Sequence, residues 1–121
     1  MKRFPSIKKN TDFVTVYRKG RSFSEGLFVM YAMKNGLSYN RIGISVSKKV
    51  GNSVVRHGIA RKIREIFRLN DINMKTGYDI ITVIRPAARE ADYKNLNDTY
   101  CRLAGRHNII IKADDNIEES K

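Results

Sequence analysis

Residues Arg41–Leu69 read RIGISVSKKVGNSVVRHGIARKIREIFRL, and this stretch decides the fold. Ile42, Ile44 and Val46 alternate with Gly43, Ser45 and Ser47, the period-two pattern of a strand with one apolar face and one small, polar face. A strand is expected over Arg41–Lys49, followed by a turn at Val50-Gly51. Asn52 or Ser53 then stands where it can cap a helix running from Asn52 to Leu69. With an advance of about 100° per residue, Val55, Ile59, Ile63, Ile66 and Phe67 share one stripe. His57, Arg61, Arg64 and Arg68 lie roughly 160° away by the same geometry, with Arg56 and Lys62 on the flanks. Gly58 lies off the apolar stripe, beside the Arg61–Glu65 edge. Like charges at this spacing repel, and Glu65 is the only acid on the helix to offset them. A face that merely keeps a protein soluble usually mixes signs, so this row reads as an anion surface. Lys48 and Lys49 add to it, since they precede a helix N-terminus whose free N–H groups favour anions.

Working outward, Tyr78–Arg85 (YDIITVIR) is nearly all apolar before Pro86, as in a strand covered on both faces. Strand, helix and strand in succession imply a parallel pair. Upstream, a helix is expected over Thr11–Lys19, capped by Asn10 or Thr11 and ended by a left-handed Gly20. Strands follow at Arg21–Ser24 and Leu27–Met33, separated by a turn at Glu25-Gly26, with a further turn at Asn35-Gly36. The last helix spans Tyr93–Ala104, with Asp92 as its cap, Leu96, Tyr100 and Leu103 as its stripe and Gly105 as its terminator. The reading is an α+β single domain over residues 1–121 in the order αβββαβα, one sheet packed by helices. Residues 1–9 and 113–121 are expected to be loose.

Charge narrows the function. Residues 1–70 hold 16 Lys and Arg against Asp12, Glu25 and Glu65, whereas residues 71–121 hold eight basic and nine acidic residues. A field so uneven attracts polyanions, with nucleic acid foremost because basic side chains displace condensed counterions. Nothing approaches the ~20 apolar residues of a membrane span, no signal peptide is evident, and Cys101 is the single cysteine, so cytoplasmic residence is expected. A protein catalyst of phosphodiester hydrolysis needs clustered carboxylates or histidines. Here the acids are scattered and no zinc spacing occurs. Asp71 and Asp79 read as caps or turn residues, and Cys101 and His107 as structural, so no catalytic and no metal-binding residue is assigned.

Ser45–Arg68 resembles the signature of the bacterial ribonuclease P protein family, in which a strand ending Ser-Lys-Lys leads through Gly-Asn into a helix patterned Arg-Asn-Arg-x-Lys-Arg-x-x-Arg. Lys9–Phe13, Val16–Gly20 and Phe28–Tyr31 resemble that family's first helix and central strand. Arg56, Arg61 and Arg64 keep three arginines of the motif, whereas His57, Gly58 and Ala60 stand for Asn, Arg and Lys. The resemblance implies a left-handed strand–helix–strand crossover. It also implies a protein subunit that is not itself catalytic, working with a catalytic RNA that requires Mg2+ and removes the 5′ leader of precursor tRNA. Lys48, Lys49, Arg56, His57, Arg61, Arg64 and Arg68 would then contact the catalytic RNA. Phe13, Tyr17, Val29, Tyr31, Ser45 and Ser47 would line a cleft for the leader. The residues themselves agree with a cleft, because Leu27–Met33 is apolar on both faces and only one can meet the helical core. The other suits a platform for unpaired bases. Phe28 and Met30 belong to the core on this reading, and the polar tips of Tyr17 and Tyr31 to the cleft. A ribosomal or ribosome-assembly protein would explain the charge but not the aromatic platform. A DNA-binding regulator would need a partner helix that is missing, so DNA is not an expected partner, and neither is a membrane, since no amphipathic helix pairs the basic face with bulky exposed apolar residues.

Overall fold

The structure is a computed structural model and describes residues 5–110. They form α1 (Asn10–Lys19), β1 (Arg21–Ser24), β2 (Phe28–Lys34), β3 (Arg41–Val46), α2 (Ser53–Asn70), β4 (Tyr78–Ile84) and α3 (Tyr93–Arg106), with 3-10 turns at Asp71–Asn73 and Pro86–Glu90. This is the expected α+β order. The strands make one sheet, β1-β2-β4-β3, in which β3 and β4 run parallel and the other pairs antiparallel. β4 is apolar on both faces because it lies inside the sheet with helices above and below. Ile80 and Ile84 point with Phe28, Met30 and Ile42 into a core completed by Ile59, Ile63, Ile66 and Phe67 of α2 and Leu96, Tyr100 and Leu103 of α3. On the opposite face, Ile81 meets Ile7 and Val16, with Phe13, Tyr31, Met33 and Val83 packed around them. Each fully buried large apolar side chain contributes about 1.5–3 kcal/mol.

Several boundaries differ from the sequence reading, each for a physical reason. Lys9 occupies the cap position of α1, and neither Asn10 nor Thr11 caps it. Gly20 is extended (φ −73°, ψ 156°) rather than left-handed. Its missing side chain matters for space instead: a Cβ there would lie 2.6 Å from the Val16 carbonyl oxygen and 3.1 Å from that of Ala32. Strand β3 stops at Val46 rather than Lys49, where its partner β4 ends at Ile84. Two residues beyond, Pro86 lacks an N–H to continue the ladder. Lys48 and Lys49 therefore sit in a turn closed by the Val50 N–H on the Ser47 carbonyl at 3.1 Å, and Val50 is buried. Gly105 lies inside α3; the left-handed residue that ends it is Asn108 (φ 60°). Residues 5–9 are not loose. Ile7 donates to the Ile42 carbonyl (2.9 Å) and Ile42 to the Pro5 carbonyl (3.1 Å), so this segment covers the outer edge of β3. The segment 113–121 lies outside the described residues.

Buried polar groups tie the ends of β3 and β4 together. Asn40 donates to the Lys75 carbonyl (2.9 Å) and to Asp71 (3.2 Å), and accepts from the Tyr78 N–H (2.8 Å). Asp79 is no turn residue: it lies in β4, is buried, and holds the Arg41 guanidinium at 2.8 and 2.6 Å. His107 sets its Nε2 2.8 Å from the Met30 carbonyl and its ring edge-on to Phe23 at 4.7 Å. The Cys101 thiol reaches the Asn70 side chain (3.5 Å) and that of Asn97 (4.0 Å).

Candidate nucleic-acid interface

The cap of α2 is Asn52, whose Oδ1 accepts from the Val55 N–H at 3.0 Å. That start places Ile59, Ile63, Ile66 and Phe67 inward and leaves His57, Arg61, Lys62, Arg64 and Arg68 exposed. Arg61, Lys62 and Arg64 have no acidic partner among the described residues, nor do Lys48 and Lys49 in the preceding turn. Arg56 is half-buried, and its Nε is enclosed without a hydrogen-bond partner. Arg68 differs from the rest of the row. Glu65 grips it through two hydrogen bonds, which hold the Glu65 carboxyl below its usual range. The two positions where the resemblance lacks a cation also differ: a Cβ on Gly58 would meet nothing within 4 Å, whereas Ala60 is buried.

The second candidate surface is the sheet face crossed by α1. The helix runs diagonally, with Phe13 over Gly43 of β3 and Tyr17 against Tyr31 of β2. Tyr17 and Tyr31 meet edge to face at 4.9 Å, and Phe13 and Tyr17 are 6.4 Å apart. Strand register puts Ser24, Val29, Val83 and Ser45 in one row across the four strands, and Ser22, Tyr31, Ile81 and Gly43 in the next. Ile81 is sealed beneath α1, whereas Val29, Tyr31, Val83 and Ser45 remain partly exposed and Tyr17 is 39% exposed. The result is a partly exposed sheet face beside α1, with aromatic rings along one side, Val29 and Val83 in the middle and serine hydroxyls at both ends. The structure thus brings together Phe13, Tyr17, Val29, Tyr31 and Ser45. Ser47 lies past the end of β3, in the turn leading to Lys48 and Lys49. Sequence reasoning missed Val83 and Ser24, because only the strand order and register carry them into the row.

Among the described residues, no three His, Cys, Asp or Glu side chains gather where they could share an ion. No helix there is long and apolar enough to cross a membrane.

Comparison with known proteins bears on the family of the chain. Residues 1–108 match the family Ribonuclease P. The ribonuclease P protein component of Lachnoclostridium phytofermentans is 50% identical over 105 residues, covering 87% of this chain and 90% of that protein. That of Alkaliphilus metalliredigens is 45% identical over 104 residues, covering 86% and 94%. Among solved structures, the RNase P protein of Staphylococcus aureus superposes with a TM-score of 0.82 at 34% identity, covering 89% of this chain and 99% of that one. That of Thermotoga maritima gives 0.78 at 30% identity, covering 84% and 96%. Sequence, fold and basic helix converge, and the chain belongs to the ribonuclease P protein family, the protein subunits that join an RNA in the ribonucleoprotein endoribonuclease of tRNA processing.

Proposed function

We propose that the outer face of α2, with Lys48 and Lys49, seats this protein on the ribonuclease P RNA, and that the groove beneath α1 holds the 5′ leader of precursor tRNA. The reading rests on one observation: two surfaces of different chemistry occupy separate parts of the fold. Arg56, Arg61, Lys62 and Arg64 offer charge without aromatic rings, which suits a folded, densely charged RNA backbone. The groove offers rings and hydroxyls, which suit an unpaired strand of varying sequence, since every base has a face to stack. His57 is exposed on the first surface and Arg68 stands at its far end, already held by Glu65.

Bond cleavage belongs to the RNA in this account. The carboxylates of Asp12 on α1 and Asp79 on β4 are both engaged by Arg41, and the described residues offer no carboxylate cluster for an ion. As the family resemblance implies, Mg2+ is assigned to the RNA and the particle to the cytoplasm. Reconstitution tests this directly. Purified protein should leave precursor tRNA intact, and adding the RNA with Mg2+ should produce a mature 5′ end. Processing by RNA-free protein that disappears on substituting a single Asp or His would overturn the assignment.

A further inference from the structure

We infer that the Asp12–Arg41–Asp79 cluster is a positioning device for the groove, holding α1 where Phe13 and Tyr17 can wall it. This rests on the leader reading above. Asp79 lies in an interior strand and is 5% exposed, so its charge must be matched where it sits. Arg41, its direct neighbour in the β3–β4 register, does so with both arms of a fork: Nε donates to Oδ1 at 2.8 Å and Nη2 to Oδ2 at 2.6 Å. Asn35 donates to the same carboxylate at 2.9 Å. With Asp79 satisfied inside the sheet, Arg41 still has Nη1, and this group reaches across to Asp12 on α1 at 3.5 Å.

The residue after Asp12 is Phe13, whose ring lies so close over Gly43 that a Cβ there would fall 2.9 Å from it. One turn further, Tyr17 meets Tyr31. At the far end, Gly20 abuts the Ala32 carbonyl. The glycine contacts set how near the helix comes to the sheet. Neither is directional along the sheet plane, whereas a guanidinium fixed in a bidentate pair is. The Asp12–Arg41 pair is itself partly solvated, with 35% and 24% of the two side chains exposed, so its share of global stability is small. Its effect is registration of one wall of the groove.

Asp12→Asn tests this in the reconstituted particle. The quantity to measure is the ratio of affinities for precursor tRNA and mature tRNA, which isolates the leader. The ratio should fall about two- to fivefold, less than deleting a stacking ring would cost. Affinity for mature tRNA should not weaken. Electrostatics alone predicts the opposite sign, because removing an acid beside a polyanion tightens binding. In the free protein, the Gly43 α-proton resonances, displaced by the ring current of Phe13, should shift in Asp12→Asn. Asp12→Glu, which keeps the carboxylate, should restore both the ratio and the resonances. An unchanged or increased ratio overturns the inference, as does a loss with the Gly43 signals unmoved or one that Asp12→Glu fails to restore. Tyr31→Ala run alongside separates the two levels. If it lowers the ratio and Asp12→Asn does not, the groove stands and the positioning role is wrong. If neither lowers it, the leader reading falls and the positioning role falls with it.

Discussion

The outer face of α2 presents Arg61, Lys62 and Arg64 with no acidic partner among the described residues, whereas Arg41, beneath α1, is tied to both Asp79 and Asp12. One surface leaves its charge open to a partner; in the other Arg41 is neutralised internally, and rings, small apolar side chains and hydroxyls are exposed. Binding at the first should depend steeply on salt and little on whether a leader is present. At the second the dependence should reverse. On the function proposed above, the contrast would let one small protein hold a folded RNA and a single strand together without one site competing for the ligand of the other.

The largest expected effect comes from removing Arg61 and Arg64 together. Each cation lost from a phosphate contact lowers the salt-dependence slope by about 0.9, so the double alanine variant should lose nearly two units in its binding to the ribonuclease P RNA. The ratio of precursor to mature tRNA affinity should stay constant. A fall in that ratio with the slope unchanged would break the division between the surfaces.

Gly58→Arg sharpens it from the other side, with a smaller effect. Open space surrounds the Cβ position, and glycine within a helix costs about 1 kcal/mol relative to better helix formers. The variant should melt a few degrees higher, bind the RNA more tightly and gain about one unit of salt slope. Weaker binding by a more stable protein would mean that RNA backbone approaches α2 too closely at this position for a side chain. Ala60, the other cation position of the motif, offers no such test because it is buried.

The smallest effect lies outside both surfaces. Burial pushes the His107 imidazole below its ordinary range against the opposing pull of the Met30 carbonyl, and Arg21 and Arg106 push the same way as burial. Below about pH 6.5 the unfolded chain therefore binds more protons than the folded one, and stability falls as pH drops from there toward the lowered folded value. His107→Gln should flatten that part of a melting-temperature profile without altering leader discrimination. An unchanged profile would assign the pH dependence to other groups.

The α2 surface was legible in the sequence because a helix writes its faces as a period, and the inward set Ile59, Ile63, Ile66 and Phe67 defines the outward one. The groove was legible only where an element carried its own alternation, as Val29 and Tyr31 do on β2 and Ser45 on β3. Strand β4 shows no alternation of apolar and polar residues, so nothing local marks Val83 as exposed and Ile81 as core; the position of α1 decides it. Arg41 and Asp79 are 38 residues apart, and only the parallel register makes them neighbours. The covered edge of β3 was missed for a related reason, since Pro5–Ile7 has no periodicity and is ordered by the strand it meets.

The central claim is that the face beneath α1 binds the leader, and Tyr31→Ala in the reconstituted particle tests it most directly. Tyr31 stands in the sheet with Tyr17 edge-on at 4.9 Å, so removing its ring opens the groove where the two elements meet. Affinity for precursor tRNA should fall by about 1–2 kcal/mol, the order expected for losing a stacking ring, while affinity for mature tRNA stays the same. Equal losses with and without a leader would contradict the account and place Tyr31 in the core or against the ribonuclease P RNA.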